Sequence, residues 1–411
     1  MNPSAANLAT WAVFALSIAG MLAHPWRVPE WCWPVGGALV LAVTGLLAPI
    51  EAVRAAASGW NVYLFIGGMM LLAELARVEG LFDHVAAHAV GWAGGSQARL
   101  FAIVYAIGTL VTIFMSNDAT AVVLTPAVAA AARQARVRAL PHLFACAFVA
   151  NAASFALPIS NPANLVIFRG DLPGLDRWLS AFGAASVAAT LTTFVALAVL
   201  FRKDLRGPCG EAMPQPLRAG GRIAAVGVAA TAIALLVSSA RGWPLGAPAF
   251  VLACLSTAAA VTANRQAPAR LVKGVSWGVL LLAAGLFVLV RALEGTGLLL
   301  QARILVDQTQ GRVLAAAAGV VTALVCNVMN NLPAGMLAGA ALSAAAAPPG
   351  LREAVAIGVD LGPNLTVMGS LSSVLWLVAV RREGEQVSAW RFAQVGLVAT
   401  PLAMLAALVL L

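Results

Sequence analysis

Apolar runs of about 17–25 residues, long enough to cross a hydrocarbon layer of about 30 Å, recur along this chain. They include Leu8–Ala23, Pro34–Ile50, Trp60–Ala76, Leu179–Phe201, Ile223–Ser239 and Gly246–Ala263. A water-soluble core cannot absorb so many of them. Of 411 residues, 61% are hydrophobic and 10% charged, against about 25% charged in soluble domains. The expected fold class is therefore an all-α polytopic membrane protein. No Lys or Arg precedes the first run, so it lacks a signal-peptide n-region and is expected as a retained helix. The net charge of +9 lies in short loops between spans. It reads as topology rather than nucleic-acid binding. Cys32, Cys146, Cys209, Cys254 and Cys326 show no metal spacing, so neither a zinc site nor a disulfide framework is expected.

An internal repeat is legible. Trp60, Gly68 and Gly80 match Trp277, Gly285 and Gly297 at one offset. Arg99 then matches Arg312, and "MSND" (115–118) matches "VMNN" (328–331), at an offset four shorter. Asn151 falls opposite Asp360, and Ser160-Asn161 opposite Gly369-Ser370, after a further shift of four. Four regions are expected. Residues 1–59 are N-terminal spans and 60–201 form repeat 1. Residues 202–274 hold a basic loop and linking spans, and 275–411 form repeat 2. About ten spans are expected, at 8–23, 34–50, 60–76, 141–168, 179–201, 222–240, 246–263, 275–293, 351–380 and 390–411. Segments 99–133 and 312–347 are polar at their centres. Each is expected as a re-entrant hairpin of two half-length helices. This arrangement puts 17 Lys and Arg on one face and 8 on the other. The rich face, with "RQARVR" (133–138), "RKDLR" (202–206) and "RQAPARLVK" (265–273), is expected in the cytoplasm, with both termini outside. The repeats then come out inverted, as in many secondary transporters.

Four stretches carry most polar residues at membrane depth. Two are hairpin tips: Ser116, Asn117 and Asp118 with Thr120, and Asn327 with Asn330 and Asn331. Two are interrupted helices. One, 141–168, holds Asn151, Ser154, Ser160, Asn161 and Asn164. The other, 351–380, holds Asp360, Asn364, Thr366, Ser370, Ser372 and Ser373. Pro158, Pro162 and Pro363 are expected to break these helices. Broken backbone in a bilayer survives where protein buries it or water reaches it. Half-helix N-termini and Asn, Ser and Thr side chains would then line a midplane pocket for a small hydrophilic solute. A lone Asn or Ser is more often packing glue, but repeat-related pairs followed by Pro-broken helices favour a site. Intramembrane carboxylates strengthen that reading. The tips are expected to meet across the pocket, each capping the other's half-helix ends. Glu74, near the end of its span, is expected to reach the interface. His24, His84, His88 and His142 fall at span ends or in loops, with no catalytic role expected.

The stretches "FMSNDATAVVLTPAV", "VMNNLPAGMLAGAAL" and "GVDLGPNLTVMGSLSSVLWL" resemble the arsenite/antimonite efflux permeases of the ion transporter superfamily. The resemblance extends over nearly the whole chain. It implies a secondary transporter of the plasma (inner) membrane, not an enzyme. Its implied activity is extrusion of trivalent arsenic and antimony from the cytoplasm in exchange for protons, without a cofactor. It also implies an elevator motion, and makes a soluble arsenite-stimulated ATPase a candidate partner. Arsenous acid is an uncharged trihydroxide, suited to a pocket without Lys or Arg. Many relatives have "NDGA" at the first tip where this chain has "NDAT", so Thr120 adds a candidate hydroxyl. A sodium/proton antiporter of the same superfamily is the alternative. An intramembrane aspartyl protease needs Gly-x-Gly-Asp, which neither Asp118 nor Asp360 has. Inverted repeats with broken helices argue against a channel. Cys326, one turn before Asn330, is expected to pack rather than bind arsenic, because a carrier must release its solute. Asp118 is expected to couple protons. Burial disfavours its charged form, whereas half-helix N-termini favour it. Asp360 is the candidate second proton site.

Overall fold

The computed structural model describes residues 3–23, 28–169, 172–210, 216–264, 268–297, 300–301, 304, 306, 311–345, 347–348 and 350–411. His24 and part of the basic stretch 265–273 lie outside them. Among the described residues, eight helices are long and apolar enough to cross a membrane.

The chain opens with α1 (Pro3–Ala23), α2 (Cys32–Val43), α3 (Pro49–Ser58) and α4 (Trp60–Val78). The span expected at 34–50 is instead two short helices. Gly45 takes φ +74°, a turn that glycine adopts without steric cost, and Pro49 opens α3. Next come α5 (Leu81–Trp92) and α6 (Gln97–Met115). Thus a helix, rather than a loop, carries His84 and His88. After Ser116 the chain returns through α7 (Asn117–Ala119), a π-helical turn (Thr120–Leu124) and α8 (Thr125–Gln134). The first interrupted helix is α9 (Ala139–Ala152) and α10 (Pro162–Phe168), followed by α11 (Leu175–Leu200). Then come α12 (Ala219–Ala240), α13 (Gly246–Asn264), α14 (Pro268–Gly274) and α15 (Gly278–Glu294). The second hairpin is α16 (Arg312–Met329) and α17 (Asn331–Ala344). The second interrupted helix is α18 (Leu351–Leu361), two 3-10 turns (Gly362–Asn364 and Val367–Gly369) and α19 (Leu371–Arg382). α20 (Ala389–Val409) ends the chain.

The hairpin arms differ from the expected half-lengths. α6 has 19 residues and α16 has 18, about 28 Å each at 1.5 Å per residue. The polar tip sits at the end of each arm, so the apolar stretch before it stays one helix. The proline expectation also needs correcting. α9 stops at Ala152, well before Pro158. Pro162 starts α10 rather than breaking it, since a first-turn proline forfeits no helical bond. Pro363 is as expected: the helix ends at Leu361 and the proline lies in the 3-10 turn that follows.

Two helical groups result. α4 packs on α13, α12 on α13, and α15 on α1, α2 and α3. The hairpins and interrupted helices form the other group, in which the halves of the chain interleave: α11 packs on α20, α10 on α17 and α9 on α19. An aromatic cluster joins them. Phe144 contacts Phe148, Phe201, Trp376 and Phe392, and the Trp376 indole donates to Leu143 O at 2.9 Å. Ion pairs link residues that the charge pattern puts on one face: Arg133–Glu383 and Arg138–Asp204 on the basic face, Arg169–Glu294 and Arg291–Glu51 on the other.

Candidate functional site

Each tip turns through a residue with positive φ. Ser116 has φ 129°, ψ 162° and Asn330 has φ 75°, ψ 155°. This region is strained for a residue with a side chain. The strain is held by caps. Ser116 Oγ accepts from Ala119 N at 3.5 Å, and Asn330 Oδ1 from Leu332 N at 3.4 Å. The interrupted helices restart in the same way. Asn161 Oδ1 accepts from Ala163 N at 3.0 Å, and Ser370 Oγ from Ser373 N at 3.1 Å. Each tip therefore caps its own helix, not the other's as expected. A side-chain acceptor satisfies first-turn N–H groups, and a local one needs no partner from the opposite repeat.

Backbone and short side-chain bonds fasten each tip to the break of its own repeat. Asn117 N donates to Ser160 O at 3.1 Å, and Ser160 Oγ to Ile113 O at 3.0 Å. Asn327 Nδ2 donates to Gly362 O at 2.9 Å, and Thr366 Oγ1 to Asn327 Oδ1 at 2.7 Å. Three further bonds cross between repeats. Ser372 Oγ donates to Asp118 Oδ1 at 2.5 Å. Asn161 Nδ2 donates to Asp360 Oδ1 at 2.6 Å, and Asn151 Nδ2 to Asn364 Oδ1 at 2.9 Å.

A cavity of about 50 Å³ lies where these meet. Its polar lining is Asn117, Asp118, Asn161, Asn330, Asn331 and Ser372, together with Glu30, and among the described residues it carries no Lys or Arg. The Asn117 Oδ1 atom is buried without a protein partner, an open acceptor in the wall. Asn151, Ser160, Asn164, Asp360, Asn364 and Ser370 are buried behind the wall. They position it rather than line it. Asp360 reaches the cavity through Asn161, and its Oδ2 has no protein partner.

Four expected site residues lie elsewhere, and the first, Ser116, lines a neighbouring cavity instead. The Thr120 hydroxyl bonds that of Thr112 at 2.8 Å and Gly108 O at 3.4 Å. It braces the two arms, because the π turn rotates it away from the cavity. Asn327 and Thr366 face an apolar groove on the far side of the second break. Ser372 belongs to the site through its bond to Asp118; its place in the polar stretch 358–373 was the one signal in the sequence. Glu74 is 7% exposed and bonded twice by Arg77, at 2.7 and 2.6 Å, rather than reaching an interface. Cys326 is buried against Val359 O at 3.9 Å, outside the cavity lining. His142 is buried in the first turn of α9, with Nδ1 3.2 Å from Arg138 O.

Residues 10–371 match the model of a family described as citrate transporter (CitMHS). An arsenical pump membrane protein of Escherichia coli is 26% identical over 409 residues, covering 95% of this chain and 94% of the relative. One from Yersinia enterocolitica is 26% identical over 365 residues, covering 83% of each. Among solved structures, the chain resembles the YdaH transporter of Alcanivorax borkumensis, with a TM-score of 0.56 and 16% identity over 87% of this chain and 86% of that one. It also resembles MtrF of Neisseria gonorrhoeae, with a TM-score of 0.51 and 14% identity over 90% and 83%. At these identities the structures speak to fold alone.

Proposed function

The chain belongs to the citrate transporter (CitMHS) family, and on that premise we propose that it exports arsenite and antimonite across the plasma membrane in exchange for protons. The observation that carries the solute assignment is the cavity lining. It offers amides, a hydroxyl and carboxylates, with no cation among the described residues. A tricarboxylate such as citrate would bring negative charge against the Asp118 carboxylate, and desolvating like charges side by side is costly. Arsenous acid brings three neutral hydroxyls, each able to donate to Asp118 or Asn117 Oδ1 and accept from an amide. Its few heavy atoms suit a volume of about 50 Å³. The arsenical pump relatives, similar along nearly the full chain, support the same solute.

Asp118 is the coupling residue in this reading. As the carboxylate it accepts from Ser372 and from a solute hydroxyl. Facing the more acidic outside it takes up a proton, loses an acceptor and lets the solute go. The protonated carrier returns and releases the proton inside. Asp360, behind Asn161, is the second proton site. The hairpins and interrupted helices of the two inverted repeats move together against the α1–α4 and α12–α15 group, as an elevator. No step requires ATP, so an ATPase subunit would be an accessory.

Arsenite accumulation in inverted membrane vesicles tests this, with an imposed proton gradient and no ATP. Wild type should accumulate arsenite only with the gradient. Asp118→Asn should lose gradient-driven accumulation, because asparagine retains a hydrogen-bonding carbonyl but carries no proton. Undiminished accumulation by Asp118→Asn would remove it as the coupling residue. Sodium-driven flux in its place would favour the antiporter alternative.

A further inference from the structure

A second cavity, of about 70 Å³, lies on the other side of Asp118. The two cavities share Asp118, Val279 and Leu371 in their linings, and of these only Asp118 is polar. The lining of the second cavity also holds Ser116, Glu74 on α4, and Gly274 and Ser276, with Gly274 beside the Glu74 carboxylate. Gly274 and Ser276 are exposed and adjoin the basic stretch ending at Lys273. Its polar atoms and its volume suit about two waters, at roughly 30 Å³ of liquid each. It lacks the asparagines that line the first cavity.

We propose that this second cavity is a proton branch, separate from the solute cavity, between Asp118 and the basic face. Glu74 is its fixed anion, holding an excess proton on the intervening water. The proposal rests on the coupling role of Asp118 given above. A hydronium in a narrow, largely apolar passage is poorly solvated, and a nearby negative charge offsets that loss. Glu74 is held for this task. Arg77 Nε and Nη2 donate to its two oxygens, and any side chain at position 274 would overlap its carboxylate. The charged groups around Glu74 are few. On its own helix there is Arg77, whose charge is also felt by Asp83 on α5. Lys273 precedes Gly274 on α14, and Asp118 stands across the cavity. α13, which packs along α4, carries no Asp, Glu, Lys, Arg or His. The arrangement lets solute and proton reach one carboxylate from different sides, so neither blocks the other.

Two variants and two readouts in inverted vesicles decide it. Glu74→Gln keeps a hydrogen-bonding side chain beside Arg77 and loses the charge. Val122→Phe adds bulk in the second cavity, whose wall Val122 forms, and leaves every charge in place. The readouts are arsenite exchange at equal pH and gradient-driven arsenite accumulation. Both variants should keep exchange within about twofold and lose about tenfold in gradient-driven rate. Wild-type drive in both, or a parallel loss of exchange and drive in both, would overturn the branch; if Glu74→Gln fails to fold, Val122→Phe decides by the same criteria. Asp118→Asn, run alongside, separates two kinds of failure. If it keeps drive, the coupling reading falls and the branch with it. If it loses drive while Glu74→Gln and Val122→Phe keep theirs, the branch alone is wrong.

Discussion

Ser116 and Asn330 hold strained backbone at equivalent points of two hairpins, and each strain is offset by a cap. The residues that follow them, Asn117 with Asp118 and Asn331, are thereby turned into the cavity. Asn117→Ala and Asn331→Ala should each abolish arsenite resistance while leaving a folded, membrane-inserted protein. Loss of one amide leaves a hydroxyl of the enclosed solute without its partner, and a buried polar group left unpaired costs about 1–3 kcal/mol. Resistance assays with expression measured in parallel check this. Normal resistance in both variants would show that the tips do not form the site. Cys326→Ser makes the opposite prediction. The thiol is buried against Val359 O, where a serine hydroxyl can donate. Transport should stay within about twofold and stability within about 1 kcal/mol. Thiol capture of arsenic as an essential step would instead show as lost arsenite flux at normal expression.

Between helices, small residues set the approach. α16 packs closely on α18 and on the 3-10 turn after it, through Gly319 and Ala323 on one side and Ala354, Gly358 and Gly362 on the other. A Cβ on Gly319 would stand 2.5 Å from Ala354 O, and one on Gly358 would overlap the Gly319 carbonyl. In lipid, such close backbone approach supplies the packing that drives helix association. The seam fixes α18, hence Asp360 and the second break, relative to the second tip. Gly358→Ala should therefore cost about 1–3 kcal/mol through overpacking, seen as a lower Tm in detergent with reduced transport. Gly36→Ala is the matched control. It lies in α2 with open space around its would-be Cβ, so its Tm should hold or rise slightly. Equal Tm shifts in the two variants would contradict the seam.

For the whole molecule, the charge count and the contacts agree on sidedness. The Arg133–Glu383 and Arg138–Asp204 pairs join loops of the Arg-rich face. At the other face, Asn7 Nδ2 donates to Thr296 O at 3.2 Å. Both termini should then lie outside the cytoplasm. Reporters active on one side of the membrane, fused at Met1 and at Leu411, should both read external. A cytoplasmic reading at either end would overturn the inverted arrangement proposed for the repeats.

The all-α membrane class, the two polar turns and the two interrupted helices were legible in the sequence, because hydropathy and polar residues at apolar depth are local signals. Tertiary structure decided which polar residues face the solute. Thr120, Asn327 and Thr366 carry the same chemistry as Asn117, Asn161 and Asn331, yet a π turn and the far side of a break point them elsewhere. Ser372 entered the site because a helix from the second repeat delivers it to Asp118, 254 residues away in sequence. The burial of Glu74 depended on α14 folding over it. Composition and period state how polar a segment is. The direction of a side chain in a broken helix depends on φ and ψ at one or two residues, and its partners on the packing of distant helices, neither of which a local pattern encodes.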